Sequence, residues 1–186
     1  MKLFIKYMVS TRCKMVVRSE LDKLGLHYAK LELGEVEIME NITEEQRNQL
    51  KYGLLQYGLE LMDSQKSILI ERIKNAIIEM VHYADELPKV NFSDYISEKL
   101  RYDYTYLANL FSEGTGGTIE HYIIAHKIER VKELLLYDEL NLTEISYKLN
   151  YSSVAHLSNQ FRKVTGLTPT FFKNLKNKKL TPLEDL

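Results

Sequence analysis

The sequence predicts an α+β domain at the N-terminus, followed by an all-α domain in which two helix–turn–helix units are joined by a long helix. Three observations lead to this fold class. Strand and helix patterns alternate along residues 1–64, a pattern over residues 95–118 recurs over residues 144–168, and apolar residues at helical spacing connect the two copies. The 186 residues suffice for one or two domains with modest cores.

Residues 1–64 carry a strand, a helix, two strands, a helix and a last strand. Apolar residues alternate in the first strand, Ser10 or Thr11 caps the first helix, and Thr43 with Gln46 forms a capping box for the second. The predicted elements cover residues 2–8, 10–25, 28–33, 35–39, 44–58 and 59–63. This order is that of a ferredoxin-like βαββαβ domain.

The loop after the first strand runs from Met8 to Cys13, with Ser10 two residues after the methionine. The region resembles heavy-metal-associated domains, which place a Met-x-Cys-x-x-Cys loop there, so Ser10 stands at the first cysteine position. Two thiolates hold copper(I), and one thiolate with a hydroxyl is a poor substitute. We therefore expect no cofactor and expect Cys13 to be a small buried residue. A soft ion such as copper(I) at Cys13 stays as the alternative.

Residues 65–90 form a connecting helix that we expect to be the first helix of the following domain and to end at Pro88. Its apolar residues are three and four apart, which suits packing on the first helix–turn–helix unit and also suits a dimer seam. These residues are Ile70, Ile73, Ile77, Met80, Ala84 and Leu87.

The internal repeat has many matched positions. Ile96, Leu100 and Tyr102 recur 49 residues later, and Leu107, Asn109, Phe111, Thr115, Gly116 and Thr118 recur 50 residues later, which places one extra residue in the second turn. Each copy is predicted to be a helix, a tight turn and a helix, the arrangement of DNA-reading motifs. The cap and turn signals are Ser93, Asp103 and glycines 114, 116 and 117 in the first copy, and Asn141 or Thr143, Asn150, Ser152 or Ser153, and Gly166 in the second.

Residues 118–137 continue the helical spacing without a breaker, which predicts a rod of about 30 Å. Successive major-groove faces lie about 34 Å apart, so one chain could occupy two half-sites. The outer faces of the two second helices are small or hydrogen-bonding, which permits close approach to base edges.

The motifs "YLANLF", "HKIERVKELLL" and "LTEISYKLNYSSVAHLSNQFRKVTGLTPTFFK" make residues 68–175 resemble the DNA-binding domain of AraC/XylS-type transcription regulators. The resemblance implies a sequence-specific regulator with base-reading candidates Thr105, Ala108, Asn109, Ala155, His156 and Asn159. Phosphate candidates, by resemblance and local charge, are Ser152, Ser153, Ser158, Arg162, Lys163 and Thr168. The predicted domains are 1–64, 65–90 for the connecting helix, 91–178 for DNA binding, and 179–186 for the tail.

The remaining features bound the function. Net charge is −1, but residues 162–179 hold six bases and no acid, which suits either phosphate binding or a solvated surface.

Scattered histidines and the absence of a phosphate loop after a strand argue against an enzyme. No membrane span or signal peptide is evident, so we expect a cytoplasmic protein with double-stranded DNA as partner. A homodimer and RNA polymerase are further candidate partners. The alternative function is a metal-carrying or protein-interaction module that binds DNA weakly or not at all.

Overall fold

A four-stranded antiparallel sheet forms the centre of the N-terminal unit, Met1–Asn75, in the computed structural model. The structure describes residues 1–62, 65–84, 87, 91–137, 140–175 and 180–186. The strands are β1 (Lys2–Lys6), β2 (Tyr28–Glu32), β3 (Glu35–Ile38) and β4 (Glu60–Met62), in the spatial order β2-β3-β1-β4. Leu3 lies opposite Val36 and Ile5 lies opposite Leu61, so the register places apolar residues of three strands on one face.

Two helices cover that face of the sheet and complete the predicted order of elements. They are α1 (Thr11–Lys23) and α2 (Glu44–Leu55), and their Val17, Leu21, Leu50 and Leu54 share the buried core with the strands. Complete burial of each such side chain contributes about 1.5–3 kcal/mol. The capping box of Thr43 and Gln46 at the start of α2 is confirmed, with both hydrogen bonds formed.

The connecting helix is shorter than predicted. Helix α3 covers Gln65–Ile78, a π-helical turn follows over Glu79–Tyr83, and the chain becomes extended at Ala84, whose N–H donates to the carbonyl of Glu79. The bond spans five residues rather than four, which widens the last turn and ends the helix. Pro88, the predicted end of the helix, lies outside the described residues.

The C-terminal unit, Ala76–Leu186, contains the two predicted helix pairs with a long helix between them. The first helix pair is α4 (Phe92–Leu100) with α5 (Tyr104–Thr115), and the second helix pair is α7 (Leu142–Lys148) with α8 (Val154–Thr165). Between them runs α6 (Ile119–Tyr137), about 28 Å long, and α9 (Pro169–Lys173) follows α8. Within the described residues, no helix is both long and apolar enough to cross a bilayer.

Helix α6 packs against both helix pairs, α9 and the π-helical turn. The matched residues Phe111 and Phe161 are fully buried, as are Leu107 and Leu157, so each pair contributes the same apolar face to the core. The π-helical turn is joined to α6 by His82, whose Nε2 lies 3.1 Å from Nδ1 of His126. Ile77 and Met80 are buried, and the π-helical turn contacts α6. Packing of the connecting helix on the first helix pair stays a prediction, as does the dimer seam.

Candidate nucleic-acid interface

In the first helix pair, a left-handed residue forms the turn and an aspartate begins the second helix. Arg101 has φ 61° after α4, and Asp103 Oδ1 accepts hydrogen bonds from the backbone N–H groups of Thr105 and Tyr106 at 2.9 and 3.2 Å. The cap at Asp103 is confirmed. The prediction for Ser93 is wrong, because α4 begins at Phe92 and Ser93 lies inside its first turn.

The end of α5 also differs from the prediction in detail. Of the three glycines expected to end it, Gly116 takes the left-handed conformation, with φ 75°, and its N–H donates to the carbonyl of Ser112. Gly114 lies within the helix. Gly166 has the same φ of 75° at the end of α8, so the two recognition-helix candidates end alike.

In the second helix pair, one residue of each predicted alternative caps its helix, and the predicted turn and end residues are confirmed. Asn141 and Glu144 form a capping box at the start of α7, and Asn150 has φ 51° in the turn. Ser153 Oγ accepts a hydrogen bond from the N–H of His156 at 3.0 Å, which begins α8. The predicted extra residue is present: residues 101–103 separate Leu100 from α5, whereas residues 150–153 separate Leu149 from α8.

The six predicted base-reading residues lie on the outer sides of α5 and α8. Thr105 and Asn109 are exposed and Ala108 is half-buried on α5, between the buried positions of Leu107 and Phe111. On α8, exposed side chains are those of Ala155, His156 and Asn159. Each helix therefore presents small and hydrogen-bonding groups to solvent, which is the geometry that approach to base edges requires.

The predicted phosphate candidates surround α8, and several of their hydroxyls have a local partner. Ser152 Oγ lies 3.0 Å from His156 Nδ1, and Thr168 Oγ1 accepts from the N–H of Phe171 at the start of α9. These hydroxyls therefore fix helix starts and the His156 ring. Ser158 is half-buried, whereas Arg162 and Lys163 are exposed near the end of α8. Of the basic stretch, residues 176–179 lie outside the described residues.

The two helix pairs differ in charge. Residues 141–168 contain three bases and one acid, whereas residues 91–118 contain two bases and four acids. One of those two bases, Lys99, forms an ion pair with Glu79. The second helix pair is therefore the more attractive to phosphate, because binding to DNA depends strongly on neutralising phosphates. The charged residues are Glu144, Lys148, Arg162 and Lys163, and in the first pair Asp94, Glu98, Lys99, Arg101, Asp103 and Glu113.

The structure also brings forward tyrosines that the sequence analysis did not assign to the interface. Tyr102 and Tyr106 are exposed and stack with ring centroids 5.7 Å apart, beside Arg101. The repeat matched Tyr102 with Tyr151, but Tyr102 is 45% exposed and Tyr151 is 5% exposed. The signal that could have found the stacked pair was their spacing of four residues at the start of a helix.

The environment of Cys13 does not suit a soft metal ion. Its Sγ lies 3.4 Å from Ser10 Oγ and 3.8 Å from the carbonyl oxygen of Tyr7, so its near polar neighbours are hard oxygen atoms. Copper(I) prefers thiolate and thioether ligands. Among the described residues, no three His, Cys, Asp or Glu side chains are grouped so that they could hold a metal.

Comparison with known proteins agrees with this geometry. Residues 96–174 match a protein-family model described as a helix-turn-helix domain. The chain is 24% identical over 133 residues to an uncharacterized HTH-type transcriptional regulator, YtdP, of Bacillus subtilis, and 25% identical over 138 residues to an uncharacterized HTH-type transcriptional regulator of Staphylococcus aureus. These matches cover 72% and 73% of this chain but 17% and 18% of the relatives, so the chain spans about a fifth or less of their length.

A solved structure shows the same fold. The C-terminal domain of AraT, a response regulator from Geobacillus stearothermophilus, is similar with a TM-score of 0.51 and 22% identity. The similarity covers 64% of this chain and 95% of that domain. Together with the two helix pairs packed on α6, these matches show a helix-turn-helix domain over residues 96–174.

Proposed function

We propose that the chain is a sequence-specific, DNA-binding transcription regulator of the AraC type, with α5 and α8 as its two recognition helices. One observation carries the proposal: the same local geometry occurs at both ends of α6. In each helix pair a left-handed residue, Arg101 or Asn150, turns the chain, and a capped second helix then presents small polar side chains outward. At about 28 Å, α6 is somewhat shorter than the distance of about 34 Å between successive segments of major groove.

Base readout follows from the chemistry of the outer faces. The amides of Asn109 and Asn159 can each form two hydrogen bonds with adenine. The small side chains of Ala108 and Ala155 let the helix backbone approach, and Thr105 and His156 add single hydrogen-bonding groups. The ring of His156 is held by Ser152, so it needs little ordering on binding.

Phosphate binding is proposed to depend mainly on the second helix pair. Arg162 and Lys163 are exposed, and this pair carries an excess of bases, whereas the first pair carries an excess of acids. Ser152, Ser153, Ser158 and Thr168 are secondary phosphate candidates, as side-chain hydroxyls commonly are. The second helix pair then supplies most of the salt-dependent affinity, and the first pair adds mainly direct readout.

The test starts with purified protein and a pool of random duplexes at near-physiological salt. Two enriched motifs about one helical turn apart support both recognition helices, and one motif supports a single reader. No enrichment, with binding that vanishes as salt rises, contradicts sequence-specific DNA binding. The selected duplex then serves as the probe for variants.

Two variants separate readout from phosphate binding. Asn159→Ala is expected to reduce discrimination between the selected duplex and a random duplex by about 1–3 kcal/mol. Lys163→Ala is expected to weaken both duplexes alike and to reduce the salt slope by about 1. Lys51→Ala, an exposed lysine of the N-terminal unit, is the matched control and should change neither quantity. Equal losses on both duplexes for Asn159→Ala would contradict direct readout.

A second candidate function belongs to the N-terminal unit, for which we propose the ferredoxin-like assignment and a role in protein contacts. The observation that favours it is a set of large apolar side chains left exposed on α2 and just after it, Tyr52, Leu55 and Tyr57. Homodimer formation is tested by sedimentation of the parent chain and of the Tyr52→Ser, Leu55→Ser double variant. RNA polymerase is tested as partner by transcription in vitro from the selected duplex. A parent that is monomeric and inactive in transcription would contradict this role.

A further inference from the structure

A buried lysine on α6 contacts aromatic rings rather than carboxylates. Lys127 is 6% exposed, and its Nζ lies 3.9 Å from the ring centroid of Tyr151 and 5.5 Å from that of Phe92. Within the described part of the chain, no carboxylate forms an ion pair with it. A cation within about 6 Å of a ring is attracted to its face, and the attraction is strongest where water is excluded.

The two rings come from different helix pairs. Phe92 is the first residue of α4, and Tyr151 lies in the turn between α7 and α8. Lys127 itself belongs to the helix that connects the pairs. One cation therefore contacts the start of the first helix pair and the turn of the second.

The contact continues to the start of α8. The Tyr151 ring meets the His156 ring edge to face, with centroids 5.3 Å apart and planes at 86°. An apolar side chain could fill the space of Lys127 without the cost of desolvating a charge. What a lysine adds at this position is therefore the attraction between its charge and the two rings, not its volume.

We propose that Lys127 is a positioning residue that holds the first and second helix pairs in a fixed relative orientation through the rings of Phe92 and Tyr151. The geometry of the contact does not depend on what the protein binds. Its consequence for the spacing of two DNA motifs rests on the proposed function, so the decisive experiment uses no DNA.

That experiment measures distances between spin labels on the full chain. A Cys13→Ser background removes the natural thiol, and labels are placed at the exposed positions Glu113 on α5 and Lys163 on α8. Lys127→Met is expected to broaden the distribution of distances between these labels. A label pair at Glu98 and Glu113, both in the first helix pair, is the matched control and should keep its width. If the distribution between the helix pairs keeps its width in Lys127→Met, the proposal is wrong.

Companion variants distinguish charge from general damage to the fold. Lys127→Arg keeps a cation that stacks on rings and should restore the narrow distribution. Tyr151→Phe keeps the ring and should also stay narrow, whereas Phe92→Leu removes one ring and should broaden it. Broadening in Lys127→Arg and Tyr151→Phe to the same extent as in Lys127→Met would overturn the role of the cation and the rings.

A DNA readout then connects the contact to function. On the duplex selected from the random pool, one base pair is inserted between the two motifs. The measured quantity is the ratio of affinities for the selected duplex and for the duplex with the inserted base pair. Lys127→Met is expected to lower this ratio about tenfold, which equals 1.4 kcal/mol, and to leave the affinity for a single motif unchanged. Failure to enrich any motif contradicts the proposed function alone, because the label distances still decide the role of Lys127.

Discussion

Replacing Lys127 with methionine should stabilise the protein at neutral pH, although it removes the only cation that contacts both Phe92 and Tyr151 in the described structure. Burial lowers the pKa of Lys127 from its ordinary 10.5 to about 8, which corresponds to about 3 kcal/mol against the charged form. Contact with the two rings offsets part of this cost. Lys127→Met removes the buried charge and should therefore raise the free energy of unfolding by about 1–3 kcal/mol below about pH 8.

The sign of the pH dependence follows from the lowered pKa. Between about pH 8 and pH 10.5 the unfolded chain holds a proton at Lys127 that the folded chain releases, so the free energy of unfolding rises with pH. The advantage of Lys127→Met is therefore complete below about pH 8 and fades above it. Burial also raises the pKa of Tyr151, which keeps that hydroxyl neutral in the folded protein throughout this window.

The assay is urea unfolding followed by helical circular dichroism, at about pH 7 and about pH 9, where most tyrosines of the unfolded chain are still protonated. Lys51→Met, an exposed lysine, should show no difference at either pH. A loss of stability in Lys127→Met at pH 7 would refute the reasoning, because the rings would then outweigh the cost of burial.

Three further predictions concern stability. Asp103→Ala should lower the free energy of unfolding by about 1 kcal/mol, because two backbone N–H groups lose their cap, and thermal denaturation measures it. Gly34→Ala should destabilise by at least about 1–2 kcal/mol, because φ is +79° at this turn and the added Cβ would collide with the Asn75 side chain, and urea unfolding detects the loss. Burial raises the pKa of Glu133, but the nearby His82 ring and a hydrogen bond from Arg130 outweigh it and lower the pKa overall. Stability from that carboxylate is therefore present above about pH 4.5 and lost as pH falls, and Glu133→Gln should reduce the slope of an acid titration.

Caps and turns of the C-terminal unit could be predicted because they depend on residues a few positions apart. Asn141, Ser153 and Gly166 act within one helical turn of themselves, and Asp103 and Gly116 repeat the last two signals in the first copy. Arg101 was missed as the left-handed residue of the first turn, because arginine has no special preference for positive φ. At Arg101 the packing of the helix pair therefore outweighs the local preference of an arginine for negative φ.

Features that depend on tertiary contacts could not be predicted from spacing. The apolar period through residues 65–87 continues past Tyr83, so it contains no sign of the π-helical turn, whose His82 meets His126. The different burial of Tyr102 and Tyr151 also arises from tertiary contacts. Both residues follow a helix in matched registers, but only Tyr151 has Lys127 over its ring.

Lys127 shows how the two helix pairs depend on each other. In sequence it is one of several charged residues on a helix, and a solvated side chain is the usual interpretation. The fold instead brings rings from both helix pairs to Lys127, and the two helix pairs carry net charges of opposite sign.

In the proposed function, the basic second pair binds phosphate strongly and the acidic first pair does so weakly. Once α8 is bound, a fixed orientation makes contact by α5 an intramolecular step, which raises its effective concentration without added positive charge. The first pair can then contribute base readout despite its acids, provided that Lys127 holds it in place.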